Sequence, residues 1–181
     1  KCGNSNQRIE SVSPALSNYL VTEFGASKER ITIATDDIPK KISETKRLFW
    51  RKEIREKLKI SPAAKVYCYS GSAKPWQCIY ETIEHFKNKQ KEDPTSVLLI
   101  LSQDKEIFEK KLKTTQIKSE NFRIISVKPT ELAKFLCAAD IGILMRKKDV
   151  INFVSRPTKA LEYLSSGLKI EHNGTVDYLN K

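Results

Sequence analysis

The sequence predicts an α/β fold: a parallel open sheet with helices on both faces. Three observations predict it. From Val66 onward, short aliphatic runs alternate with segments of helical period, the signature of successive strand-helix-strand units. The run VLLILS, Val97 to Ser102, is apolar at successive positions, which a strand buried on both faces requires and a half-exposed antiparallel strand does not. With 181 residues, 39% hydrophobic and 30% charged, the chain has a globular composition and buries a core without a disulfide or metal staple. At about 150 residues per domain, the length gives one domain plus a piece of another.

Taken in order, Arg8 to Ser13 is a short extended piece ending at Pro14. Leu16, Tyr19, Leu20 and Phe24 recur at helical spacing until Gly25 stops the helix, and Ile31 to Ala34 reads as a second short strand. Asp36 to Lys46 has no apolar period and reads as a linker, so the expected units are 1–38 and 39–181. Glu44 to Ile60 is helical, with Trp50, Ile54 and Leu58 in one stripe and Arg47, Arg51, Lys52, Arg55 and Lys57 around it. That stripe is expected either to pack on the sheet or to meet an anionic membrane surface. Beyond it, Val66 to Ser70, Val97 to Ser102, Phe122 to Val127, Ile141 to Met145 and Leu168 to Glu171 read as strands. Trp76 to Lys87, Lys105 to Lys113, Thr130 to Ala138 and Pro157 to Ser166 read as the helices between them.

The 33 Lys and Arg against 22 Asp and Glu give a formal net charge of +11, which favours an anionic partner: nucleic acid, an acidic lipid surface, or phosphates on a small molecule. The basic residues are dispersed and no nucleic-acid motif accompanies them, so nucleic acid is not expected. No apolar run approaches the roughly 20 residues a bilayer needs. Lys1 to Gln7 has no signal-peptide core. A soluble, cytoplasmic protein is expected, with a peripheral contact at the inner membrane face left open. Cys2, Cys68, Cys78 and Cys137 form no C-x-x-C pair and read as reduced thiols, Cys68 and Cys137 in the core.

Ligands of a parallel open sheet sit beyond the carboxyl ends of its strands, so the loops that follow strands carry the candidates. In the first, Tyr69-Ser70-Gly71-Ser72-Ala73-Lys74-Pro75, Gly71 permits close backbone approach, and a helix starting near Pro75 would aim free N–H groups at an anion beside Lys74. The same loop also fits an ordinary strand-to-helix turn. In the second, Ser155 suits an N-cap, Pro157 the first helical position and Gly167 the exit. Ala160, Tyr163, Leu164 and Gly167 are expected to face the sheet. Lys159 and Glu162 share the opposite polar edge, either as a phosphate and sugar-hydroxyl site or as an exposed pair of little energetic worth. His85 reads as structural or surface, His172 lies near the candidate site, and Asp140 is expected to cap or hydrogen-bond a neighbouring loop rather than hold a metal.

Pro157-x-Lys159-x-x-Glu162-Tyr163-Leu164-x-x-Gly167, preceded by the strand Ala138-Ala139-Asp140-Ile141-Gly142-Ile143-Leu144, resembles the donor-binding half of a glycosyltransferase of the two-domain Rossmann-like (GT-B) type, family 4, also called group 1. The resemblance extends to Ser11-Val12-Ser13, ITIATDD, Tyr69-Ser70-Gly71-Ser72 and Pro129-Thr130-Glu131-Leu132. It implies a nucleotide-sugar donor, retaining transfer to a polysaccharide, glycolipid or other acceptor, and no cofactor or metal. Glu162 matches the family's ribose-binding glutamate. Gly71, Ser72, Lys74, Ser155, Arg156, Pro157, Thr158 and Lys159 are the expected diphosphate neighbours, and no catalytic residue is assigned. The chain departs from the family at Val154, where a first glutamate is usual, and at Ser72 and Gln77, where many members carry an Arg and a Lys. The resemblance further implies a fragment truncated at both ends: 1–38 would close an acceptor domain, and 39–181 would be an incomplete donor domain that binds but turns over little alone. Two rivals remain open: a non-catalytic nucleotide-binding or membrane-adaptor module, and a nucleotide-sugar epimerase of the same architecture.

Overall fold

In the computed structural model, which describes residues 7–180, β3 (Val66–Ser70), β4 (Val97–Leu101), β5 (Phe122–Ile125), β6 (Ile141–Leu144) and β7 (Lys169–His172) form one sheet in the order β5-β4-β3-β6-β7, every pair parallel. Period-two alternation explains the two cores. Val66, Cys68, Val97, Leu99 and Leu101 point to one face, and Tyr67, Tyr69, Leu98 and Ile100 to the other, all of them buried. The first face packs against α2 (Glu44–Lys57), α5 (Leu132–Leu136) and α7 (Thr158–Ser165) through Ile54, Phe135 and Tyr163. The second packs against α3 (Ile79–Glu92) and α4 (Lys105–Lys113) through Ile83, Phe86, Phe108 and Leu112. Helices cover both faces, as expected for a Rossmann-like sheet.

A second, two-stranded parallel sheet pairs β1 (Ile9–Ser11) with β2 (Ile31–Ile33). Between them runs α1 (Pro14–Phe24). Ser13 accepts a 3.0 Å bond from the Leu16 amide, Pro14 fills the first turn, and Gly25 closes the helix at φ +67°. This unit docks on the larger one. Ser13 Oγ donates to the Val154 carbonyl, Arg156 reaches back to Ala34 and Asp37, and the Ile42 amide donates to Ser165 O at 2.9 Å. Cys68, Cys78 and Cys137 are free and buried; Cys2 and the Lys1–Asn6 stretch lie outside the described residues. Among those residues no helix is long and apolar enough to cross a membrane.

α3, α6 (Val150–Val154) and α2 differ from expectation. α3 starts at Ile79 rather than Trp76, because Pro75–Gln77 forms a single 3-10 turn and Cys78 takes φ +50°, off the helical path. It also runs past Lys87 to Glu92, through residues that propagate a helix without apolar period, until Pro94 pushes Asp93 to an extended conformation. A short helix, α6 (Val150–Val154), was not expected; Asp149 caps it by accepting from Asn152 N at 2.7 Å. On α2, Ile54 and Leu58 are buried but Trp50 is half-buried, with Lys46 Nζ 4.5 Å from its ring centroid. Arg55, expected on the charged ring, is 3% exposed. Its Nε donates to Ala138 O at 2.9 Å, its Nη1 to three carbonyls between Ser61 and Ala64, and its Nη2 to Asp140 at 2.9 Å. Asp140 also takes Arg51 at 2.6 Å and the Val66 amide at 2.8 Å, locking α2 to the starts of β3 and β6. Asp140 was expected to cap or bond a neighbouring loop; its partners are instead two arginines of α2 and the first amide of β3.

Candidate functional site

Strand order reverses between β3 and β6, so the crevice above their carboxyl ends is where an open sheet takes ligands. The two strands pair only at Tyr67↔Ile141 and Cys68↔Gly142. Beyond that register Tyr163 from α7 fills the gap, its hydroxyl accepting from the Ser70 amide at 2.9 Å. Only glycine fits at 142, since a Cβ there would lie 2.1 Å from the Tyr163 ring.

Tyr163 and Ala160 face the sheet as expected, both fully buried, whereas Leu164 is 45% exposed and Leu161 is buried in its place. α7 is therefore rotated from the expected orientation, and Lys159 and Glu162 border a cleft rather than an open polar edge. Ser155 does not cap α7. It ends α6, with its hydroxyl donating to Asn152 O at 2.8 Å, and Pro157 occupies the position before the first turn of α7.

The cleft, about 450 Å³, is built from Ser70 at the end of β3, Gly71 and Ser72 after it, Ser102 to Asp104 after β4, Val127 and Pro129 after β5, and Lys159 and Glu162 on α7. Its floor is pinned by the loops themselves. Gly71, at φ +134°, donates its amide to Leu101 O at 2.9 Å. Tyr69 donates its hydroxyl to Ser72 O at 2.7 Å, and Asp104 accepts from the Ala73 amide at 2.7 Å.

Lys159 is 9% exposed and extends beneath Gly71, where a Cβ would meet its Nζ at 3.1 Å. The Nζ lies 4.0 Å from the Tyr69 ring centroid and donates to Gln77 Oε1 at 3.1 Å. Arg146, just past β6, donates to that same oxygen at 2.9 Å. Burial, and next the Arg146 charge, push the Lys159 ammonium down to about 7. Glu162 is half-buried; desolvation raises its pKa, against the opposing effect of Lys159. Among the described residues no donor is bonded to its carboxylate, and the residue lines the cleft.

Of the expected site residues, the structure thus gathers Gly71, Ser72, Lys159 and Glu162. Lys74 is exposed, with its Nζ 5.1 Å from the Trp76 ring centroid, and does not line the cleft. Arg156, expected near a phosphate, is 8% exposed and spent elsewhere: it donates to Ala34 O at 2.6 Å and to Asp37. Ser155, Pro157 and Thr158 also lie off the lining. Val154 borders a separate groove of about 260 Å³ with Ala15 and Tyr19 of α1. His85 bonds Glu171 at 2.5 Å, tying α3 to β7, and His172 accepts from the Gly174 amide at 3.2 Å; neither lines the cleft. Sequence reasoning missed Arg146, which lies off the lining but shares the Gln77 oxygen with Lys159, although Met145-Arg146-Lys147-Lys148 directly follows a strand, which is the position the open-sheet rule inspects.

No protein-family model and no curated protein matches the sequence. Solved structures do match the fold. WaaG, a glycosyltransferase involved in lipopolysaccharide biosynthesis, superposes with a TM-score of 0.70 at 17% identity, covering 99% of this chain and 48% of that one. The catalytic domain of starch synthase IV from Arabidopsis thaliana, bound to ADP and acarbose, gives 0.61 at 14% identity, covering 97% of this chain and 41% of that one. The C-terminal domain of the group 1 glycosyl transferase LpcC from Francisella tularensis gives 0.55 at 17% identity, covering 78% of this chain and 71% of that one. This chain has the Rossmann-like fold of half a GT-B glycosyltransferase, over a span about half the length of WaaG.

Proposed function

We propose that this chain is the nucleotide-sugar-binding part of a retaining glycosyltransferase, with residues 1–38 belonging to the acceptor side and 39–181 to the donor side. One observation carries the reading. The switch-point cleft places a buried cation without a carboxylate partner, Lys159, beside an unpartnered carboxylate, Glu162, while Arg146, off the lining, shares the Gln77 oxygen to which Lys159 donates. A nucleoside diphosphate matches that pattern: its phosphates complement the cations and its ribose hydroxyls donate to Glu162. Transfer needs a second domain to close over donor and acceptor, so this chain binds a donor and turns over little by itself. The resemblance further implies a metal-independent reaction and a glycan or lipid-linked acceptor. A thermal-shift panel of nucleosides, nucleoside diphosphates and nucleotide-sugars tests the reading. A site at 100 times its dissociation constant adds about 2.7 kcal/mol of stability; equal melting temperatures across the panel would sink it.

A peripheral membrane contact has its own observation. Leu48 and Phe49 on α2 are 50% and 66% exposed beside Lys46 and Lys52, the pattern of an interfacial basic helix. Such a contact would place the enzyme at the inner membrane face, and sedimentation with anionic vesicles tests it. A non-catalytic nucleotide-binding module is favoured by Val154, which turns to α1 and leaves the cleft without the family's first glutamate.

A further inference from the structure

α7 brings Lys159 and Glu162 to the cleft, and both of its ends are tied to residues ahead of α2. Two residues before the helix, Arg156 donates from Nη1 to Ala34 O at 2.6 Å and pairs through Nη2 with Asp37. At the last turn, Ser165 O accepts from the Ile42 amide at 2.9 Å. Val154, on the approach to Arg156, takes the Ser13 hydroxyl on its carbonyl. Among the described residues no strand of the two-stranded sheet pairs with the larger sheet. The seam between the two units therefore rests on bonds of this kind and on the packing of α1 against α6 and the final turn, Asp177–Leu179.

Arg156 is an expensive side chain to place in that seam. It is buried, its Nε has no hydrogen-bond partner among the described residues, and the Asp37 carboxylate it pairs with is mostly exposed. An unpaired buried donor costs free energy, and an apolar side chain of similar volume would fill the seam without that cost. What the guanidinium adds is direction, because its planar fork fits one placement of Ala34 and Asp37 relative to α7. The same segment reaches the cleft three residues later. Pro157, at φ −64°, fixes the chain direction, its carbonyl accepts the Ala160 amide at 2.9 Å, and Lys159 in that first turn donates to Gln77 at 3.1 Å. Further along, Tyr163 is held by the Ser70 amide at 2.9 Å and against Gly142. α7 is thus pinned at Tyr163, and its first turn is the end that Arg156 steers.

We propose that Arg156 is a positioning residue: by gripping Ala34 and Asp37 it makes the placement of Lys159 in the cleft depend on the docking of the amino-terminal unit. With that unit docked, the first turn of α7 is held where Lys159 reaches beneath Gly71. With the grip released, Arg156 loses both acceptors and the turn pivots about Tyr163. A ligand that touches Lys159 favours the first arrangement, so by linkage it also tightens the seam. The coupling is a property of α7 and rests on the donor-binding reading only for the choice of ligand as probe.

Removing Arg156 itself would empty a buried slot and confound stability with placement, so the variant is Asp37→Ala, at an exposed turn residue off the cleft lining. In the ligand-free protein, Asp37→Ala is expected to shift the NMR resonance of the Gln77 side-chain amide, to which Lys159 donates, and Asp37→Glu, which keeps the carboxylate, to restore it. A change that only lowered stability would leave this native-state signal in place. With ADP or UDP as ligand, Asp37→Ala is expected to weaken binding by about five- to tenfold, and saturation of the wild type to slow hydrogen exchange of the Ile42 amide by at least that factor. An unmoved Gln77 resonance overturns the proposal, and so does a nucleotide affinity that Asp37→Ala leaves intact. If neither ADP nor UDP binds the wild type, the donor reading falls and the Gln77 resonance alone decides the role of Arg156.

Discussion

At the amino ends of β3 and β6, Arg55 and Arg51 divide one carboxylate between them, Asp140, at 2.9 and 2.6 Å. At the carboxyl ends, Lys159 and Arg146 divide an amide oxygen, that of Gln77, at 3.1 and 2.9 Å. Both arrangements take cations out of water, and the first completes them. Arg55 reaches four backbone carbonyls besides its carboxylate, so its charge and donors are met within the protein. The second leaves charge uncompensated, and Lys159 answers by weakening its hold on a proton. A buried cation with an internal carboxylate fastens the fold; one without it is where the proposed reading seats an anionic ligand.

Removing the carboxylate from the completed end gives the largest expected effect. Asp140→Asn leaves Arg55 buried without its counter-charge, and breaking a buried pair this way costs about 3–5 kcal/mol. Chemical denaturation should register that loss while nucleotide affinity among folded molecules stays unchanged. A stability loss under about 1 kcal/mol would mean that the pair behaves like a surface one.

The contrast explains how much was legible in the sequence. β3 and β4 were readable because burial on both faces demands apolar residues at successive positions, and α1 because Ser13, Pro14 and Gly25 mark its ends chemically. Arg55 read as solvent-facing because a helical charge pattern carries no trace of an aspartate 85 residues away. The rotation of α7 was hidden by the apolar Leu161 and Leu164, either of which satisfies the helical period. Lys159 and Glu162 were identified by type and spacing. Their companion Arg146 comes from another strand, and Arg156 was lost to the site because a partner in the amino-terminal unit, Asp37, competes for it.

At the open end, Glu162→Gln is expected to lower nucleoside diphosphate affinity by about ten- to a hundredfold, since charge-assisted bonds are worth roughly 1.5–3 kcal/mol. Wild type should discriminate against a 2′,3′-dideoxy nucleotide and the variant should not. Calorimetry on the four combinations gives the coupling, and strictly additive losses would remove Glu162 from the ribose.

Between the two ends stands Tyr163. Tyr163→Phe leaves the buried Ser70 amide without its acceptor, at a cost of about 1–3 kcal/mol. Gly142→Ala drives a Cβ into the same ring, for a comparable overpacking loss. Both changes act on one side chain, and a ring released from its hydroxyl bond can shift away from the new Cβ, so the double variant should be less destabilised in denaturant melts than the sum of the singles; full additivity would mean that the hydroxyl does not anchor the ring.

The last effect sharpens the comparison by sign. The folded protein holds Lys159 at about 7 against an ordinary 10.5, so between those values the unfolded chain binds more protons, and this group's contribution to stability rises with pH. Below that window its burial cost is felt in full. Lys159→Met should therefore stabilise the protein more at pH 6 than at pH 9, the opposite sign to Asp140→Asn. Thermal melts at the two pH values check it, and a pH-independent difference would contradict the depressed pKa.

The central claim is that the cations at the carboxyl end await a diphosphate, and titration calorimetry of one nucleoside diphosphate and its parent nucleoside against wild type and Arg146→Met tests it most directly. Wild type should bind the diphosphate at least about tenfold more tightly than the nucleoside, a difference of about 1.4 kcal/mol, and the variant should lose most of that preference with its melting temperature little changed. Equal affinity of wild type for the two ligands, or a preference that survives Arg146→Met intact, would contradict it.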